Sequence, residues 1–272
     1  MRIALGLEYD GTPFSGWQTQ PNGRGAQDVL ESALAEIAGT PLSTICAGRT
    51  DAGVHALDQV VHFDTGVDRP ASAWVRGVNR FLPSAIAVRW MRPVPDTFHA
   101  RFSARRRSYA YWILNDSVRS PLCDGRVGWV FRPLAVEPMR AAAHQLVGRH
   151  DFSSFRSAEC QAASPVRELA ALSVARLGRF IRIRATANAF LHHMVRNIVG
   201  ALVDVGLGRR PPDWIATVLT ARDRALSAPT FPAAGLYLER VEYDRAFDLP
   251  APPDLTPVGI DAYPDQDLRT DA

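Results

Sequence analysis

A chain of 272 residues, 47 % hydrophobic and 22 % charged, has the composition of an ordinary globular protein. It is long enough for roughly two domains and for a full core without disulfide or zinc support. All 31 of its basic residues are arginine, which excludes a lysine Schiff base, a lysine general base and a Walker A phosphate loop. The net charge of +3 hides an asymmetry: residues 248–272 carry six Asp and one Arg, leaving +8 on residues 1–247, a basic body compatible with a polyanionic partner.

Along the chain, Ile3, Leu5, Leu7 and Tyr9 alternate as a strand ending at Asp10-Gly11, followed by a Gly-, Pro-, Asn- and Gln-rich loop to Arg24-Gly25. Val29, Leu30, Ala33, Leu34 and Ile37 mark one face of a helix stopped by Gly39 and Pro41. Short strands near 43–47 and 58–64, a helix over 71–82 ending before Pro83, and a strand over 85–92 complete a β-α-β-β-α-β order. The second half repeats it. A strand is predicted at 107–115, a helix at 138–147 entered at Pro138, and strands at 167–177 and 179–187. A helix at 190–206, an extra helix at 212–221 and a closing strand at 236–243 follow.

This repetition predicts an α+β fold of two ferredoxin-like βαββαβ halves. Their antiparallel sheets would join into one extended sheet, with an active-site cleft between the halves. The halves are expected at 1–104 and 105–249, and the acidic, Pro-rich tail at 250–272 is expected to be extended or disordered. Cys46, Cys123 and Cys160 lie far apart with no C-x-x-C, so neither a disulfide framework nor a zinc site is expected, and a reducing cytoplasm fits better. The N-terminus runs directly into strand-like alternation without a leader-like apolar core, and no apolar run approaches the roughly 18 residues of a membrane span.

Residues 46–56, CAGRTDAGVHA, stand out: a short strand delivers a loop in which Gly48 and Gly53 flank Arg49, Thr50 and Asp51. Glycine on both sides permits a sharp bend or close approach to a ligand, and Asp51 is either a reactive carboxylate or a turn former. No dinucleotide or nucleoside triphosphate loop is present. His192 and His193, adjacent on a predicted helix, would point about 100° apart and could not chelate one metal together, which favours capping or polar-network roles. His55 and His62 have no assignable acid partner.

Arg92, Arg101, Arg105, Arg106 and Arg107 interleave with Phe98, His99, Phe102, Tyr109 and Tyr111. That is the composition of an RNA surface, or of a solvated strand edge backed by core aromatics. Arg196 sits among Met194, Val195, Ile198 and Val199, where an arginine reaches solvent or needs an anionic partner. Asp51 is a permitted partner.

Seven separated strings then carry a resemblance: LGLEYDGTPFSGWQ (5–18), CAGRTDAGVHA (46–56), QVVHF (59–63), FHARFSA (98–104), DFSSFR (151–156), ANAFLHHMVRNIVGALVDVG (187–206) and GLYL (235–238). In these strings, which span roughly residues 3–249, the chain resembles the bacterial tRNA pseudouridine synthase A family. The resemblance implies an enzyme that isomerises uridine to pseudouridine at positions 38, 39 and 40 of the tRNA anticodon arm, as a homodimer and with neither cofactor nor metal. Asp51 matches the catalytic aspartate, Arg49 an arginine that engages RNA and supports the flipped base, and Tyr109 the active-site tyrosine near the uracil ring. Arg196 matches the arginine paired with the aspartate, and Leu236 an apolar residue of the uracil pocket. Phe98, His99, Ala100, Arg101 and Phe102 match an RNA-contacting stretch, and Glu159, Cys160, Gln161, Ala162 and Ala163 correspond to another. In Arg106-Arg107-Ser108-Tyr109 the basic run departs from the family pattern, which leaves Arg106 and Arg107 without a role.

The implied reaction breaks N1–C1′, turns the uracil and forms C5–C1′. Whether Asp51 attacks C1′, attacks the ring or removes a C2′ proton stays open at this level. Two other classes compete: a non-catalytic RNA-binding protein, which would not require Asp51, Tyr109 and Arg196 together, and a nucleosidase, which would want a carboxylate pair and a water site.

Overall fold

A computed structural model of the chain describes residues 1–251, so the tail expectation falls outside the described residues. Among the described residues, ten strands and five α-helices make an α+β fold, as the alternation predicts. The described residues divide into two compact units: 1–107 together with 237–251, and Ser108–Leu236.

The first unit runs β1 (Arg2–Tyr9), α1 (Ala26–Ala38), β2 (Ile45–Cys46), β3 (His55–Asp64), α2 (Val78–Phe81) and β4 (Ile86–Val94). Strand β1 lies between β4 and β3, antiparallel to both, and β2 pairs antiparallel with β3. This is the strand order of a split βαβ unit. Because β1 is central, both of its faces are covered: Ile3, Leu5 and Leu7 are buried, and so is Ala4 between them. Helix α1 follows its predicted face, burying Leu30, Ala33 and Leu34, and ends where Gly39 turns left-handed at φ +71°.

The helix expected over 71–82 is present over 71–81, widened by a π-turn, Ala73–Gly77, that runs directly into α2. Val78 N–H reaches back to Ala73 O, and Trp74 and Val78, four residues apart, share the face that enters the core.

The second unit contains β5 (Arg106–Asn115, its first two residues counted with the first unit), β6 (Gly128–Val130), α3 (Val136–His144) and β7 (Gly148–Asp151). It continues with β8 (Val166–Leu177), β9 (Phe180–Ala187), α4 (Met194–Gly206) and α5 (Trp214–Ala221). The sheet order is β5-β9-β8-β7, with β6 parallel to β5. Strands β8 and β9 form a hairpin turned at Gly178, φ +58°.

Strands β6 and β7 were not expected from the periodicity. Helix α3 starts at Val136, with Pro138 in its first turn, where a missing N–H costs nothing. Helix α4 starts four residues later than predicted, because His193 sits at φ +60° and breaks the helical path. The closing strand β10 (Leu236–Glu242) pairs in parallel with β3, at Tyr237 opposite His55 and Leu238 opposite Ala56.

Asp58 in β3 extends that junction. Its buried carboxyl accepts the Val241 N–H at 2.9 Å. Burial pushes the carboxyl up to about 6, against the opposing pull of the Val241 hydrogen bond and Arg240. A carboxyl raised in the folded state favours its protonated form there, so the fold loses stability as pH rises from about 4 through 6. Asp58→Asn keeps an acceptor for Val241. Thermal unfolding at two pH values should show a gain of about 1–3 kcal/mol at pH 8 and little or none at pH 4.

Candidate active site

In the first unit β2 hands the chain to a loop, residues 47–54, that is fixed from beneath. Ala47 N–H donates to Val60 O at 2.7 Å, and the Gln59 side chain donates to Gly48 O at 2.7 Å. Tyr9 Oη and Thr50 Oγ1 are 2.7 Å apart and buried, while Trp17 N–H donates to Thr50 O at 2.9 Å. Val54 N–H closes the turn on Asp51 O at 3.1 Å, with Gly53 at φ +76°.

The Asp10–Gln18 loop lies directly under this segment. Gly16 has φ +95°, and a Cβ there would sit 3.0 Å from Thr50 O and 3.4 Å from the Asp51 carbonyl carbon. Thr50 is thereby turned inward, while Arg49 is exposed and Asp51 half-buried. At the root of the loop, burial pushes the Cys46 thiol up to about 11.

His55, which ends the segment, accepts the Gly11 N–H on Nδ1 at 3.0 Å and stacks on Tyr237 with ring centres 4.5 Å apart. Asp10 Oδ1 lies 3.2 Å from the same nitrogen, so His55 does have an acid beside it, one that sequence reasoning could not assign.

The 98–103 loop belongs to the same unit. Phe98 and Ala100 are fully buried, Phe98 packing on Tyr243 and Phe247 with ring centres 5.2 and 5.0 Å away. Arg101 and Phe102 are the exposed residues of this stretch, with His99 half-buried beside them. Phe102 is 75 % exposed, stacked on His99 at 4.3 Å and flanked by the Arg101 guanidinium at 5.5 Å. A cation beside a two-ring aromatic platform is chemically suited to a phosphate and a base.

In the second unit Tyr109 is buried on β5, edge-on to Phe190 with ring centres 5.1 Å apart. Tyr111 is a core residue whose hydroxyl donates to Pro232 O at 2.9 Å. Arg196 lies in the first turn of α4. Its Nε donates to Phe231 O at 2.9 Å, and Phe231 N–H donates to Arg196 O at 3.2 Å. Asn197 is buried beside it, donating to Phe155 O at 2.8 Å and accepting from Thr230 Oγ1 and Arg224 at 2.7 and 3.1 Å. The guanidinium of Arg196 is therefore aimed by the 224–231 segment as well as by its own helix.

Leu236 is buried at the start of β10. In the 159–163 stretch Cys160 is buried and its carbonyl accepts from Arg156 at 2.9 Å, while Glu159, Gln161 and Ala163 are exposed. His192 and His193 precede α4 instead of lying on it, and their rings are 4.0 Å apart. The helical 100° separation expected of them does not apply, because the left-handed His193 backbone folds one ring toward the other.

Sequence reasoning missed Arg107. It is buried, and its guanidinium donates from Nε and Nη2 to Ala47 O at 3.1 and 2.7 Å. The signal was available in strand parity, since Arg107 shares a face of β5 with Tyr109 and Tyr111.

A family model described as tRNA pseudouridine synthase matches residues 7–103 and 142–244. Proteins named tRNA pseudouridine synthase A from Burkholderia lata and Burkholderia cenocepacia are each 59 % identical over 250 residues, covering 92 % of this chain and 93 % of theirs. The one from Burkholderia multivorans is 58 % identical over the same shares. A chain from the crystal structure of a Cbf5-Nop10-Gar1 complex is also similar, at 12 % identity and a TM-score of 0.36, over 74 % of this chain and 45 % of that one, a likeness too slight to add to the assignment. The chain belongs to the tRNA pseudouridine synthase family. It is an isomerase acting on uridine in tRNA, and among its described residues no helix is long and apolar enough to cross a membrane.

The support beneath Asp51 has a testable weight. Gly16→Ala places a Cβ in a left-handed conformation against the Thr50 carbonyl. It should lower stability by about 1–2 kcal/mol in denaturant unfolding. Pseudouridine formation per folded enzyme should fall further than tRNA binding does.

Proposed function

We propose that this enzyme isomerises uridine to pseudouridine at positions 38, 39 and 40 of the tRNA anticodon stem-loop, with Asp51 as the catalytic carboxylate. The observation that carries the reading is the Asp51 loop itself. Its neighbour Thr50 is anchored through both hydroxyl and carbonyl, so the carboxylate stands on a backbone held from two directions, in a chain of the tRNA pseudouridine synthase family. Such preorganisation is what chemistry at a single carbon centre requires.

The target base is stacked or paired in the anticodon arm and has to be extruded, at a cost of a few kcal/mol. Phosphate contacts from the arginine-rich body, Arg49 and Arg101 among them, offset that cost and make binding fall steeply with salt. Tyr109 lies against the extruded uracil and relays a proton late in the reaction. Leu236 keeps the detached ring dry while N1–C1′ opens and C5–C1′ closes. Arg196, held by the Phe231 carbonyl, orients the carboxylate. Exposed residues of 98–102 and 159–163 carry RNA, and the protein works as a cytoplasmic homodimer.

Pseudouridine mapping of an unmodified tRNA transcript tests this directly. Wild type should place pseudouridine at 38–40, and Asp51→Ala should bind the same tRNA but form none; turnover within tenfold of wild type would remove Asp51 from the mechanism. Free uracil in the products would instead indicate a nucleosidase. Tyr109→Phe should retain binding and slow the last proton transfer, read as a lower single-turnover rate. An unchanged rate would make the hydroxyl dispensable.

A further inference from the structure

Three backbone groups on two consecutive residues of the 98–103 loop are held by side chains from elsewhere in the first unit. Ala100 N–H donates to His62 Nδ1 at 3.1 Å, Ala100 O accepts the Tyr243 hydroxyl at 2.6 Å, and Arg101 O accepts Arg107 Nη2 at 2.7 Å. Two of these side chains also grip the root of the Asp51 loop. Arg107 donates twice to Ala47 O, and His62 sits opposite Ile45 in the β2–β3 ladder with its ring hydrogen-bonded to the Ile45 backbone. Burial and the neighbouring His99 and Arg2 press the His62 ring down to about 4, so it is neutral near pH 7 and Nδ1 can accept from Ala100.

Arg107 is the part of this bracket that only an arginine can supply. One planar fork spans the Ala47 and Arg101 carbonyls and fixes their separation, whereas a lysine ammonium is a point donor on a flexible stem. We propose that Arg107 is a positioning residue for the isomerisation: its guanidinium makes the root of the Asp51 loop and the Arg101–Phe102 loop one rigid body, so that RNA gripped by the second presents its uridine to the first at a fixed distance. The proposal rests on the roles given above to Asp51 and to the 98–102 stretch. It assigns the arginine that the family pattern left without one.

The test uses the full chain, an unmodified tRNA transcript and single-turnover kinetics at saturating enzyme. Arg107→Lys keeps the charge and loses the fork; Arg107→Met removes both. Arg107→Lys should lower the saturated isomerisation rate tenfold or more while the tRNA dissociation constant stays within threefold, because displacement of about 1 Å costs rate far more than it costs binding. Should Arg107→Met unfold at the assay temperature, Arg107→Lys carries the comparison alone.

The second readout is coupling. Arg101→Ala removes the exposed side chain but leaves the carbonyl that Arg107 holds. A purely structural loss at Arg107 would therefore multiply with it. Transmission through the bracket predicts the opposite, the double variant losing at least threefold less than the product of the single losses. A rate within twofold of wild type in folded Arg107→Lys, or simple multiplication in the double variant, overturns the proposal. Failure of the underlying reading has another signature: wild type makes no pseudouridine at 38–40, or Asp51→Ala still makes it, and either result takes the proposal down with it.

Discussion

The hydrogen bond between Tyr9 and Thr50, 2.7 Å long and buried, is the contact on which the candidate site depends. Tyr9 ends the central strand, which is paired on both sides and largely buried, and Thr50 immediately precedes Asp51. A hydroxyl pair inside a protein is costly to leave unmade, which gives the loop one preferred seat. The Trp17–Thr50 backbone bond and the close approach of Gly16 then fix the same residue from a second direction. The loop thus inherits its rigidity from the core, although it carries exposed and half-buried polar residues itself.

Much of this was readable in advance where one local rule acted alone. The apolar face of α1 and its Gly39 stop, the alternation of β1, and the β8–β9 hairpin all follow from period and turn chemistry. Strands β6 and β7, three and four residues long, are too short to show a period. The start of α4 misled the reading because Phe190 to Val195 is apolar enough for a helix. What stops the helix there is tertiary: Ser157 N–H takes the His192 carbonyl, and His193 turns left-handed.

The candidate residues were legible mainly as family strings, and the sequence could not show which of them present a side chain. Phe98 and Ala100 belong to a matching stretch yet face the core, while Arg101 and Phe102, which follow them, face out. Arg107 illustrates the converse. In a run of three arginines it reads as one more solvated charge, and only strand parity places it with the tyrosines. Burial of Asp58 was equally invisible, because its partner is a backbone N–H on a strand far along the chain.

Cys46 gives the rigid loop a built-in gauge. Its sulfur is buried at the loop's root, and the thiolate, the form that alkylating reagents attack, is strongly disfavoured there. Exposure of this sulfur requires the end of β2 and the start of the loop that follows it to lift away from the core. Its labelling rate under native conditions is therefore a local opening constant for the very loop that carries Asp51, separable from global unfolding by its denaturant dependence. The loop that carries Asp51 thus has, five residues upstream, a chemical clock for how often it opens.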